Sequence, residues 1–242
     1  ADLAARHVRF IDNAHDRIVE DYLRILRFFR FHAWYGDPEG GLDPDALEAC
    51  AQNADGIETL SRERIGAEMR KLLAAPDPAP SVAVMGISGI LARILPGAMA
   101  APLAVLVHTE HQAAASPNWL RRLAAIGGQG AAEYLRLSRK DKTRLDLLRN
   151  GLESPRPLAE LAYRNGAKVA VDVALLRAAV LSTPLPADLR QLTDDAARQT
   201  CPVTASDLMP RFQGPALGEK LKALEQDWIN SGFRLTRLDL LA

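Results

Sequence analysis

Cysteine is nearly missing from this sequence: only Cys50 and Cys201 occur among 242 residues, far apart and without metal-like spacing. That excludes a disulfide-stapled secreted scaffold and a zinc ribbon, and it suits a reducing compartment. Aromatic residues make up only 5% of the chain, and β-branched runs are few, whereas Ala and Leu abound. The balance favours helices over sheets. Net charge is lacking as well, since 30 basic residues cancel 30 acidic ones. A general attraction to polyanions is thereby excluded, and any nucleic-acid surface must come from uneven placement of charge. No long hydrophobic run is present: the most apolar region, 81–107, is interrupted by Arg93, Pro96 and Pro102. It reads as packed helices, not as a membrane span. The opening "ADLAARHVRFIDNAHD" is charged from its second residue, unlike a secretory leader. A cytoplasmic protein with no membrane partner is expected. The chain opens without an initiator Met, so an earlier segment of the same protein is also expected.

What is present is 48% hydrophobic content, enough for one large domain or two small ones. A first helix is predicted over 17–34, where Ile18, Tyr22, Ile25, Phe29 and Ala33 recur at helical spacing. Leu23, Phe28 and Phe31 fall on its other sides, which predicts a rod running through the interior. "DPDALEAC" starts a second helix, with Asp43 as cap, Pro44 in the first turn and Asp45 at the positive dipole end. "TLSRERIGAEMRKLL" reads as a third, capped by Ser61 with Leu60 and Ile65 as a hydrophobic staple. "AAPDPAP", 74–80, is a breaker-rich linker and predicts a hinge near residue 77. Further helices are predicted over 81–93, 101–115, 117–126, 129–137, 140–150, 157–164, 166–181, 187–198 and 215–230. "VTASDLM" resembles a capping box through Thr204 and Asp207. No alternating strand and no internal repeat is found. The fold class is all-α, a helical domain over 1–75 followed by a second helical domain over 76–242.

Within the first helix, Asp21, Arg24, Arg27 and Arg30 stand at three-residue intervals among leucines and phenylalanines. Positions three apart drift about 60° per step, so the four form a slanted ridge with Glu20 beside its start. Ion pairs within and between helices are one explanation. A bound polyanion is the other, because a guanidinium in apolar surroundings costs several kcal/mol unless an anionic or polar group meets it. Glu20 and Asp21 lie too far along the helix to reach Arg30.

The block "RF…RI.EDYLRILRFFRF" followed by "LSRERIGAEMRKLL" resembles the neck of the bacterial class II tRNA nucleotidyltransferases, the CCA-adding enzymes and their poly(A) polymerase relatives. The first part resembles that family's E-D-x-x-R templating motif. The second resembles the helix that stabilises it, with Glu63, Arg64, Glu68 and Lys71 on matching positions and Glu20 in the motif itself. "VAVMGISGILARILPG" and "VTASDLM…GPALGEKLKALEQDWINSGFRLTR" resemble the body and tail more weakly. Where the family carries a glycine after "RF[IV]", this chain has Asp12. The resemblance implies that Asp21 and Arg24 pair with the Watson–Crick edge of CTP or ATP, and that Arg27 and Arg30 complete the nucleotide site. It also implies tRNA as partner, and Mg2+ held by a D-x-D pair on an N-terminal catalytic head.

No such head is recognised in this chain, so neither a catalytic nor a metal-binding residue is expected within it. Gly40, Gly41 and Asp43-x-Asp45 offer a decoy, better explained as a turn and a helix start. His108, Glu110 and His111 lack a further ligand and read as a solvated helix face. Cys50 and Cys201 read as inert thiols. The segment 121–149 carries eight basic residues against three acidic ones. A solvated hairpin and an RNA backbone surface explain it about equally from charge alone. With the resemblance, Arg121, Arg122, Arg136, Arg139, Lys140, Lys142 and Arg144 become candidates for tRNA phosphates. The leading expectation is thus the neck, body and tail of a CCA-adding enzyme. Poly(A) or A-only addition and a non-catalytic helical RNA-binding scaffold stand as alternatives.

Overall fold

The computed structural model describes residues 5–37, 40–209 and 211–242, and every regular element among them is helical. In chain order the α-helices are α1 (Ala14–Glu20), α2 (Leu23–Tyr35), α3 (Pro44–Gln52), α4 (Arg62–Leu73), α5 (Ala79–Ile87), α6 (Ile90–Ile94), α7 (Ala101–Gln112) and α8 (Trp119–Ile126). They continue as α9 (Ala131–Tyr134), α10 (Arg139–Glu153), α11 (Leu158–Asn165), α12 (Ala167–Leu181), α13 (Leu189–Ala197), α14 (Ala205–Leu208), α15 (Gly214–Asn230) and α16 (Arg237–Leu241). A 3-10 segment, Ala54–Thr59, links α3 to α4. Two compact units result, one of residues up to Leu152 with Leu175–Pro184, the other of Glu153–Ala174 with Leu185–Ala242. The expected division at 75/76 therefore falls inside the first unit.

In the first unit, α2 packs against α4 and α5, α4 against α8 and α9, and α7 against both α5 and α8. Ile25, Leu26, Phe28 and Phe29 of α2 are buried, as are Met69, Leu72 and Leu73 of α4 and Val82 and Met85 of α5. Each such side chain contributes about 1.5–3 kcal/mol on full burial. The close passage beside α4 depends on Gly66. A Cβ there would run into the backbone carbonyl of Leu135.

The linker after α4 is fixed from within the same unit. Arg122 of α8 is fully buried and donates to the carbonyls of Leu73 at 2.9 Å, Pro76 at 3.0 Å and Ala75. Its charge is met by Glu110 of α7 at 2.8 Å, and Arg121 shares the same carboxylate at 2.7 Å. Polar atoms freed by the prolines of this stretch thus find a buried donor.

The second unit has its own core of Val203, Leu208, Leu224, Trp228, Ile229 and Leu240. Trp228 meets Tyr163 and Phe233 edge-on at 5.5 and 4.9 Å between ring centroids. The Tyr163 hydroxyl donates to Glu225 at 2.7 Å. Burial, reinforced by that carboxylate, pushes the Tyr163 pKa up to about 12.

Two predicted helices are divided in the structure. The one over 81–93 breaks at Gly89, whose φ of 75° ends α5 and starts α6. The one over 17–34 breaks at Asp21, which adopts extended backbone at φ −159° and ψ 103°. The Asp21 carboxylate accepts from the amide of Leu23 at 3.2 Å, a local bond that competes with helix continuation.

Candidate nucleotide and RNA site

The break moves Asp21 off the arginine ridge and onto the junction that begins α2. Arg64, from α4, donates to both Asp21 carboxylate oxygens, at 3.0 and 2.8 Å. Burial pushes the Asp21 carboxyl up. The Leu23 amide, the Arg64 guanidinium and the nearby charge of Arg27 together outweigh it and hold the pKa below its ordinary value. Beside it, Arg24 donates to Glu20 at 2.6 Å and to the carbonyl of Arg17 at 2.6 Å. The Arg24 hydrogen bond is the chief reason the Glu20 pKa is depressed, and Arg17 adds to it at 2.7 Å.

Arg30 departs from expectation too. No acid on its own helix reaches it, yet Glu68 of α4 meets it at 2.8 Å. Glu68 also takes Lys71 at 3.4 Å, while Glu63 pairs with Arg136 at 3.1 Å. Of the residues expected to stabilise the first helix, Arg64 and Glu68 reach across to Asp21 and to α2, Glu63 reaches Arg136 beyond α9, and Lys71 pairs within α4. Two of the ties, Arg64–Asp21 and Glu68–Arg30, clamp α4 to the two ends of the ridge. Two of the three ridge arginines, Arg24 and Arg30, carry acidic partners. Arg27 is different. It is exposed and makes no ion pair among the described residues.

Arg27 opens on a cleft of about 240 Å³ lined by Phe10, Arg17, Arg24, Arg27, Phe28 and Phe31. Phe10 stacks on Phe28 at 5.6 Å, so the segment before α1 forms one wall. That segment turns at Asp12, whose φ of 65° lies in the left-handed region. Glycine adopts this conformation freely and aspartate tolerates it, which explains the departure from the family's glycine. The cleft is smaller than the 300–1,000 Å³ usual for a whole small ligand, so by itself it fits part of a nucleotide. No carboxylate is among the residues that line it, and among the described residues no three His, Cys, Asp or Glu side chains come together to hold a metal ion. The residues present therefore do not fit a divalent-metal centre. Asp43, half of the decoy pair, caps α3 by accepting from the Ala46 amide at 2.9 Å. Pro38 and Glu39 of that loop lie outside the described residues.

The basic segment divides. Arg121 and Arg122, at 3% and 0% exposure, face inward onto Glu110 and cannot present to a phosphate, a correction to the sequence reading. Arg136, Arg139, Lys140 and Lys142 are exposed, and Arg144 is half-buried. Lys142 pairs with Asp146 at 2.8 Å. His108 hydrogen-bonds Gln112 at 2.9 Å on an exposed face. Cys50 is buried, which pushes its pKa up to about 12 and leaves it no thiolate character.

The chain is similar to known proteins. Residues 41–101 match the family model described as the probable RNA and SrmB-binding site of polymerase A. The mitochondrial CCA tRNA nucleotidyltransferase 1 of Homo sapiens is 51% identical over 72 residues, 30% of this chain and 17% of that protein. The CCA-adding enzyme of Geobacillus stearothermophilus is 30% identical over 190 residues, covering 74% of this chain and 46% of the relative. The chain belongs to the CCA-adding enzyme and poly(A) polymerase family. Its fold agrees: the crystal structure of the Bacillus stearothermophilus CCA-adding enzyme in complex with CTP superposes with a TM-score of 0.68 at 24% identity, over 96% of this chain and 62% of that one. The chain thus spans less than half the length of the curated relatives it matches. No helix among the described residues is long and apolar enough to cross a membrane.

Proposed function

We propose that this chain is the nucleotide-selecting and RNA-gripping part of a tRNA nucleotidyltransferase that adds CCA to tRNA 3′ ends. Residues 1–75 act as the neck that reads the nucleotide, and 76–242 as the body and tail that hold tRNA. Asp21 offers acceptor oxygens and Arg24 donor nitrogens to the base edge of CTP or ATP. Arg27 meets the phosphates, and Arg30, clamped by Glu68, fixes the far end of the helix. Exposed Arg136, Arg139, Lys140 and Lys142, with Arg144 behind them, contact tRNA phosphates. Mg2+ and its carboxylates belong to a catalytic head outside these residues, and a cytoplasmic setting suits the two free thiols.

One observation carries the reading. Asp21 and Arg24 are held by Arg64 and Glu20 beside a cleft whose Arg27 makes no ion pair among the described residues. An acceptor and a donor immobilised in advance are what base discrimination requires, because ordering them on binding would cost affinity.

Thermal stability with and without CTP, ATP and GTP tests it. CTP and ATP are expected to raise the melting temperature more than GTP does. Arg27→Ala should abolish most of the rise while leaving the unliganded melting temperature within a degree or two. If no nucleotide stabilises the folded chain, and tRNA binding is undetectable at low salt, a helical scaffold replaces the proposal. Supplying CTP and ATP separately to the full-length enzyme, with tRNA lacking CCA, separates CCA addition from A-only or poly(A) addition.

A further inference from the structure

A second groove lies between α2 and α4, lined by Arg30, Phe31, Trp34, Tyr35, Arg70 and Trp119, with a volume of about 720 Å³. Phe31, Trp34 and Tyr35 are 41%, 39% and 56% exposed, an unusual concentration in a chain with only 5% aromatics. Two of the three tryptophans in the sequence stand here. Cations alternate with the rings: Arg30 lies 4.3 Å from the Phe31 centroid and Arg70 4.8 Å from that of Trp119. The platform is also held in place. The Trp34 indole N–H donates to the carbonyl of Lys71 at 2.9 Å, fixing the ring against α4. Glu68 lies beneath, occupied by Arg30 and Lys71, and Asp141 reaches Arg70 only at 3.8 Å.

We propose that this groove is a stacking track for single-stranded RNA, adjoining the nucleotide cleft around Arg27 across Phe31. Flat rings accept base faces without regard to sequence, and the flanking guanidinium and ammonium groups follow the phosphates. An apolar protein segment would gain from the rings but would offer no anion to the exposed Arg70 and Lys71. An anionic polymer with aromatic bases satisfies both. The inference rests on the RNA-binding reading of the chain and names where an unpaired stretch of that RNA runs.

Tryptophan emission titrated with an oligo(rA) hexamer at low salt tests the track. Trp228 sits in the core of the other unit at 3% exposure and supplies a constant background. Saturable quenching is expected, and Trp119→Ala should weaken binding about tenfold, with Trp119→Phe restoring most of it. Arg70→Gln should lower both the affinity and the salt slope, the latter by about one. An excess of CTP should not displace the hexamer, which distinguishes this groove from the nucleotide cleft. Circular dichroism of each variant establishes that it is folded. The proposal is overturned if folded protein shows no saturable quenching, or if Trp119→Ala binds as well as the parent. It is equally overturned if inorganic polyphosphate quenches as strongly as RNA, or if self-association buries the groove and excludes the hexamer. Retention of tRNA binding without hexamer quenching would retire the track alone, whereas loss of both would retire the RNA reading with it.

Discussion

Glu110→Ala is expected to be among the most damaging single changes in the first unit, although residue 110 touches neither the proposed nucleotide cleft nor the stacking groove. Its carboxylate is 1% exposed and meets Arg121 and Arg122 at 2.7–3.0 Å. Removing one partner of a buried pair costs about 3–5 kcal/mol, because the remaining charge is left in a poor solvent. Here a single carboxylate serves two cations, so the expected loss lies near the upper end, about 5 kcal/mol. Arg122 keeps its bonds to the carbonyls of Leu73, Ala75 and Pro76, which prevents a larger loss. Against a typical total of about 5–15 kcal/mol, the change removes a third or more of the stability. Urea denaturation followed by circular dichroism measures it as a fall in midpoint. Should Glu110→Ala shift the midpoint by less than about 1 kcal/mol while Arg122→Gln stays fully stable and loses tRNA affinity, the inward orientation is wrong. The sequence-based role of these arginines in RNA binding would then stand.

Gly66→Ala should destabilise by about 1–3 kcal/mol, since the new methyl meets the Leu135 carbonyl. Gly218→Ala in α15, with open space around it, should stabilise by about 0.8–1 kcal/mol; equal effects of the two in denaturation would contradict the packing described. His32 is buried and bonded to Ser81 at 2.9 Å, and burial depresses its pKa below 6.5. Below pH 6.5 the unfolded chain therefore binds a proton that the folded chain resists, and stability falls with pH by up to about 1.4 kcal/mol per unit until the folded pKa is passed. His32→Gln should flatten that slope in urea midpoints measured between pH 7 and 5; an unchanged slope would place the titration elsewhere.

Local chemistry made much of this architecture readable from sequence. Ser61 and Asp43 cap the helices they were expected to cap, and Thr204 and Asp207 form the expected reciprocal box. In each case the partners lie within three residues, so the signal is contained in a short window. Long-range partners were a different matter. Arg121 and Arg122 look like surface cations in a basic segment, and only the packing of α7 on α8 brings Glu110 to them. Asp21 sits in phase with three arginines, and periodicity alone cannot show that its side chain prefers the Leu23 amide to another helical turn. The resemblance named Glu68 and Arg64 as stabilising residues, but which arginine or aspartate each one meets emerges only from the approach of α4 to α2.

Those ties also change what a fixed ion pair implies about a binding site. If the acids merely neutralised the arginines, all three ridge residues would be silenced, and Asp21 would have no reason to leave the helix. Instead, the ion pairs fall at the two ends, and Arg27 at the centre makes none among the described residues. Glu20 restrains Arg24 through a partly exposed bridge at 2.6 Å, which limits its rotamers without burying its remaining donors. The Leu23 amide and Arg64 together outweigh burial and hold the Asp21 pKa below its ordinary value, which favours the acceptor form. Glu68 takes Arg30 out of competition, leaving Arg27 as the cation with most to gain from an incoming anion. Swapping the sign at the clamp, by Arg64→Glu, should therefore disturb base selectivity between CTP or ATP and GTP more than it disturbs overall nucleotide affinity. Arg27→Ala should do the reverse. Competition assays with the nucleotides, read alongside total binding, distinguish the two, and parallel losses in both variants would show that the ridge acts only as charge.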